Sequence, residues 1–371
     1  MKRIWMMLLI GVLWLPGARA SEGLTVAAKG AALIDGASGR LLFGQNEDAR
    51  YPMASTTKVM TTLLALENAP MDAQVRAGKN AAGVTGTSLY LSEGETLSME
   101  HMLYGLMLRS GNDAAVAVAE HIAGSVPAFA DMMNARAAEL SADAHFVNPH
   151  GLDAAGHEIS ALGLVRIMRE AMKNPAFRTI TSTTRKVIPW VGNEYSRVLE
   201  NKNKLLTTYE GATGGKTGFT NKAGRCLVFS AEREGLELIG AVLNCPTWFD
   251  TATVMLDYGF EHFRLESAYD GGQTVGAVTM VNGEVAAVNA VAEEALAGAV
   301  EIGAPVDVVV TLPDRLDAPV HAGEVLGTAA IRCRGQIVAQ CNLLAEKTVE
   351  KLNLRQTFRR LWRHWALTPF Q

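Results

Sequence analysis

The apolar positions of this chain change period along its length, and the changes mark its parts. Residues 4–15 form an almost unbroken apolar run after Lys2 and Arg3, and Ala18-Arg19-Ala20 follows it. The run is too short for a comfortable membrane span, and a small-residue site at this distance reads as signal cleavage. Residues 1–20 are therefore expected to be a signal peptide, with an uncleaved anchor as the alternative. Next, two short apolar runs at 31–34 and 41–43 flank the turn formers of 35–40, the pattern of a β-hairpin. From Ser55 onward Val59, Met60, Leu63, Leu64 and Leu66 recur at helical spacing. Further helices are expected at about 99–108, 113–124, 127–140 and 160–173. Pro127 suits a first turn, Ser160 an N-cap, and Asp113 a cap for the helix after it. Strands are expected at 226–231 and 236–244, then a helix at roughly 248–263.

This order predicts an α/β catalytic domain, a sheet with a helical subdomain, over 21–268. After Tyr269-Asp270-Gly271-Gly272 the texture becomes short runs at 274–281, 284–291, 306–312 and 327–333, broken by Gly, Pro and Asp. A small all-β domain over 272–348 is expected. On a helical wheel from Leu354, the residues Leu354, Phe358, Leu361, Trp362 and Trp365 fall within about 100° of arc. Arg355, Arg359, Arg360 and Arg363 lie beside them. Residues 350–371 thus read as an amphipathic helix for an anionic membrane surface, against the alternative of a helix packed on the β domain.

Charge sharpens this picture. The 371 residues carry a formal net charge of −4, which gives no footprint for nucleic acid. The last 21 residues hold five basic side chains and no acidic one, so the body before them is strongly acidic. Export permits disulfides among the four cysteines. Cys226 and Cys245 flank two adjacent strands, where a bridge or two buried thiols would both fit.

Three short strings carry candidate chemistry. In Ser55-Thr56-Thr57-Lys58 a serine has a lysine one helical turn on, where an amine can take the hydroxyl proton. A lysine base must first lose its own proton, which burial and a second cation favour. Ser110-Gly111-Asn112 offers a second hydroxyl and an amide that both donates and accepts. Lys216-Thr217-Gly218 puts a cation and a hydroxyl on a strand that can hold a carboxylate, with a glycine where a substrate backbone can approach. A phosphate-binding loop is excluded there, because the glycine it requires falls on Glu210. The eight histidines include no H-E-x-x-H string, which argues against a zinc peptidase, and His145, His150 and His157 read as structural or solvated.

The three strings, in this order and spacing, resemble the S-x-x-K, S-x-N and K-T-G set of penicillin-binding proteins and serine β-lactamases. The stretches at 38–46, 53–67, 108–125, 146–157 and 210–231 further resemble low-molecular-mass D-alanyl-D-alanine carboxypeptidases. That resemblance implies a penicillin-binding/β-lactamase-like transpeptidase fold and removal of the terminal D-alanine from peptidoglycan stem peptides. It implies β-lactam antibiotics as covalent inhibitors, and no cofactor or metal. Ser55 would be the nucleophile, Lys58 its base and Ser110 a proton relay. Asn112, Lys216, Thr217 and Gly218 would bind substrate. The backbone amides of Ser55 and Phe219 would form the oxyanion hole. Many relatives carry histidine at the position of Phe219. Among alternatives, a class A β-lactamase would need a glutamate in an E-x-x-x-N context, and Leu162 stands where the asparagine after Glu158 would be. A D,D-endopeptidase and a non-catalytic wall-binding protein are the other readings.

Overall fold

The computed structural model describes residues 24–353 together with Gln356 and Phe358. The expected signal peptide and most of the expected C-terminal helix lie outside these residues.

A five-stranded sheet organises the first unit. Its strands are β1 (Gly30–Asp35), β2 (Leu41–Gln45), β3 (Ala212–Thr220), β4 (Gly224–Arg233) and β5 (Leu236–Leu243), in the order β3-β4-β5-β1-β2. All pairings are antiparallel. The two-residue side-chain period sends alternate residues to opposite faces. Ala32, Ile34, Cys226, Val228, Ile239 and Ala241 enter one core, while Ala31, Leu33, Leu227, Phe229, Leu238 and Val242 enter another. Both faces are covered, so these strands read as continuous apolar runs.

The first core holds the helical subdomain: α1 (Lys58–Asn68), α2 (Asn112–Ala123), α3 (Val126–Glu139) and α4 (Ala161–Met172). The Ser160 cap and the Pro127 first-turn readings hold, and Ser125 supplies a further cap. The Ser125 and Ser160 hydroxyls accept from Ala128 and Gly163 amides, and Pro127 sits in the first turn. The cap reading for Asp113 does not hold. Gly111 occupies the N-cap position of α2, and the Asp113 carboxylate turns outward to the loop at 88–91 instead. The second core packs under α5 (Trp248–His262). Cys226 and Cys245 are both free and buried. They pack into two different cores, as two buried thiols rather than a bridge.

The second unit is all-β. Its six-stranded sheet contains Thr274–Val281, Ala287–Ala292, Val306–Thr311, Arg315–Asp317, Val325–Cys333 and Gln336–Ala345. Phe263–Tyr269 pairs with Leu296–Glu301, so pairing into this unit begins directly after α5. The units meet at the first hairpin. Asp35 Oδ2 accepts from the Ala299 amide at 2.9 Å and Arg40 donates to the Ala299 carbonyl at 2.8 Å. No helix among the described residues is long and apolar enough to cross a membrane.

Candidate active site

Ser55 lies in a 3₁₀ turn, Ala54–Thr57, that runs directly into α1 at Lys58. The sequence tightens this turn by itself. The Thr56 and Thr57 hydroxyls donate back to the Met53 and Ala54 carbonyls at 2.7 and 2.8 Å. Ala54 has φ +49, a conformation costly for a residue with a Cβ and typical of functional sites. The turn is held from outside by the segment 148–157. Gly151 presses on it so closely that a Cβ would stand 1.9 Å from the Ala54 carbonyl oxygen, and its φ of +89 also favours glycine.

The Lys58 side chain is fully buried and has three partners. Its Nζ is 2.9 Å from Ser55 Oγ, 2.8 Å from Asn112 Oδ1 and 2.6 Å from the His150 carbonyl. Asn112 Nδ2 donates to the Thr85 carbonyl at 2.7 Å, which fixes the amide with its oxygen toward Lys58. The His150 carbonyl is fixed too, because the Asn148 side chain accepts from the His150 and Gly151 amides and donates to the Leu152 carbonyl. Two of the three neighbours can only accept. A neutral amine has two N–H bonds for them and a lone pair left for the Ser55 hydroxyl. Burial, then the nearby cations Lys216 and Lys202, hold the Lys58 amine well below its ordinary pKa, with Asp113 opposing.

Lys216 sits on β3, an edge strand of the main sheet. It is buried, and burial with the charge of Lys202 lowers it to about 7. Its Nζ donates to the Thr217 carbonyl at 2.9 Å. Thr217 is buried beside it. Gly218 lies against the Ser55 turn: a Cβ there would fall 2.8 Å from the Ser55 amide nitrogen and 3.0 Å from the Met53 carbonyl. This contact brings β3 and the Ser55 backbone together. The Phe219 side chain points outward, 60% exposed. Ser110 is buried at the end of a π-helical turn, Gly105–Arg109, with φ +68.

Several contributors carry no local sequence signal. Lys202 supplies charge to both buried lysines from a loop otherwise unremarked. His157 is buried rather than solvated, and burial holds it at about 4, so it is neutral near pH 7. Its Nδ1 accepts from the Val147 amide at 3.0 Å, which leaves the Nε2 proton for Thr57 Oγ1 at 2.8 Å. His150 is held at about 3 by burial and Lys58.

Comparison with known proteins shows the family. The family model described as D-alanyl-D-alanine carboxypeptidase matches residues 17–247. The chain belongs to that family. A second model, penicillin-binding protein 5 C-terminal domain, matches residues 263–351. The chain is 31% identical to D-alanyl-D-alanine carboxypeptidase DacF of Bacillus subtilis over 99% of both proteins. It is 29% identical to DacC of Escherichia coli, over 92% of this chain and 88% of the other. The solved structure of penicillin binding protein 5 from Haemophilus influenzae superposes with a TM-score of 0.78 at 27% identity, covering 90% of this chain and all of that one. This carboxypeptidase is thus a serine-type hydrolase and a penicillin-binding protein with peptidoglycan stem peptides as its substrate class.

Proposed function

We propose that Ser55 is the nucleophile of the carboxypeptidase and Lys58 its general base. The observation that carries this is the set of three partners at Lys58 Nζ, two fixed acceptors and the Ser55 hydroxyl. Ser55 Oγ attacks the carbonyl carbon between two D-alanines while its proton passes to Lys58. The C–N bond then breaks. The proton reaches the leaving D-alanine nitrogen through Ser110, and the remaining acyl group stays as an ester on Ser55. Water, deprotonated by Lys58, hydrolyses that ester. Lys216 and Thr217 hold the terminal carboxylate, and Asn112 binds a substrate amide. Gly218 leaves room for the substrate backbone along the β3 edge, and the amides of Ser55 and Phe219 stabilise the oxyanion. A β-lactam enters by the same attack. The test is release of D-alanine from a peptide ending in D-Ala-D-Ala. Wild type should turn it over and a folded Ser55→Ala variant should not. Undiminished turnover by that variant would remove the assignment.

The unit boundaries also enter this reading. The catalytic domain spans 21–268, the β domain 272–348, and the β domain acts as a spacer. Residues 1–20 direct export. The helix at 350–371 then anchors the enzyme on the outer face of the cytoplasmic membrane. The five basic residues of the last 21 support this. Each contributes about 1 kcal/mol near an anionic leaflet. The full mature chain should co-sediment with anionic vesicles, and a chain ending near residue 350 should not. Equal partitioning of the two would favour the packed-helix alternative.

A further inference from the structure

The loop Thr85 to Leu91 has no regular structure, yet buried charge grips it from two sides. Asp113, from α2, takes its donors: the Leu89 and Leu91 amides at 3.0 Å and the Ser88 hydroxyl at 2.6 Å. Arg197 takes its acceptors: the Leu89 carbonyl at 2.8 Å and the Tyr90 carbonyl at 3.2 Å. Arg197 also meets Glu95 in a forked pair, at 2.6 and 2.9 Å, and the Pro189 carbonyl at 3.1 Å. A guanidinium has five N–H bonds, and here five acceptors take them. The side chains of Arg197 and Glu95 are only 5% and 3% exposed. An exposed ion pair adds little, but this pair is dry, saturated and aimed at backbone.

The loop leads to the centre of the site. Its Thr87 and Thr85 carbonyls accept from the Asn112 amide and Nδ2, both at 2.7 Å. Asn112 in turn faces Lys58. The Leu89 side chain plugs the space over Gly105 and Gly111, where a Cβ would come within 2.2 and 3.1 Å of it. Gly111 follows Ser110 directly, and its amide donates to the Gly105 carbonyl at 3.1 Å.

We propose that Arg197, paired with Glu95, is a positioning residue that locks the Thr85–Leu91 loop, and through it keeps Asn112 oriented and Lys58 dry and aimed at Ser55. This rests on Lys58 as the base. Lysine cannot replace Arg197, because three donors on one atom cannot serve this fork. Loosening the loop admits water to Lys58. Lys58 is faced by Lys216 from β3, Lys202 from the loop before Asn203, Asp113 and Asn112 from α2, and the His150 carbonyl and ring from the 148–157 segment. Of these influences burial is the largest, so wetting raises the Lys58 pKa.

The test uses the mature chain and two variants, Arg197→Lys and the double variant Arg197→Met with Glu95→Met. The double variant removes both buried charges together at similar volume, so neither is left buried alone, while the Leu89, Tyr90 and Pro189 carbonyls lose their donor; a thermal melt checks that it is folded. The rate of acylation by a fluorescent penicillin is measured from pH 5 to 10, with amide exchange of residues 85–91. Both variants should lose roughly 100-fold in acylation at pH 7. Their acid limbs should move to higher pH, and the Leu89 and Leu91 amides should exchange faster. A folded double variant with the wild-type rate and the wild-type acid limb would overturn the proposal. A wild-type rate still rising at pH 10 would instead refute Lys58 as the base, and the reason for the lock with it.

Discussion

The two units of this carboxypeptidase bury very different things. Among the described residues every buried polar or charged side chain lies between Asp35 and Thr251, and none lies in the β unit. The core of the β unit is Val, Ala, Leu, Ile, Met and Cys. In the catalytic unit Lys58, Lys216, Asp113, Glu95 and Arg197 sit among equally well-packed apolar residues. Buried charge costs stability unless it is fully partnered. The β unit avoids that cost. The catalytic unit accepts it at the site and offsets part of it with backbone carbonyls and amides drawn from several loops. The contrast separates residues that hold a fold from residues that hold a reactive arrangement.

The contrast is tested first where the two roles oppose. Lys58→Met should lower acylation by roughly 10²–10⁴-fold, the range for a lost general base. Its melting temperature should change little, because the desolvation relieved by removing a buried amine offsets the hydrogen bonds lost by Asn112 Oδ1 and the His150 carbonyl. Stopped-flow labelling and thermal melts together check this, and a large drop in melting temperature would show that Lys58 holds the fold. The converse change is Leu343→Ala, a fully buried site in the β unit. It should cost about 2–5 kcal/mol of stability in that unit. Turnover of a small peptide well below the melting temperature should stay within about twofold of wild type.

A smaller effect is the pH dependence set by Lys216. Its pKa of about 7 in the folded chain lies below its ordinary value. Between pH 7 and that ordinary value the unfolded chain binds more protons, so this group's penalty is full below pH 7 and is relieved as pH rises. Lys216→Met should therefore stabilise more at pH 6 than at pH 9, read by denaturant melts at both. For catalysis the sign reverses. Neutral Lys216 holds a carboxylate poorly, so KM in wild type should rise above pH 7 while kcat changes less. The smallest effect is expected at the junction of the units. Asp35→Asn leaves the Ala299 amide with a weaker acceptor. It should cost about 1–3 kcal/mol and speed proteolysis near residue 270, with small-peptide turnover unchanged.

Much of this was legible locally. The first hairpin, the central strands, the Ser160 cap and Pro127 in a first turn follow from neighbours in sequence, because periods of 2 and 3.6 and capping hydroxyls act over a few residues. Of the residues in the three strings, the fold joins Ser55, Lys58 and Asn112 by hydrogen bonds and packs Gly218 against the Ser55 turn. The rest depends on partners far apart in the chain. Nothing near Arg197 announces that its fork meets Glu95 and Leu89, about a hundred residues earlier. Asp113 looked like a cap because it starts a helix, and its carboxylate serves a loop instead. Lys202 acts only through space. The backbone at Ser55 is a 3₁₀ turn rather than the first turn of α1, since Gly151 and the two threonines tighten it.

The account turns on one claim, that a buried lysine kept neutral activates Ser55. It is met most directly by time-resolved mass spectrometry of the mature chain with benzylpenicillin from pH 5 to 10. The adduct should sit on the peptide containing Ser55. Its rate should climb and level off well below the ordinary lysine pKa, and folded Lys58→Met should gain almost no adduct. An adduct on another residue, or a rate still rising at pH 10 in wild type, would contradict the claim.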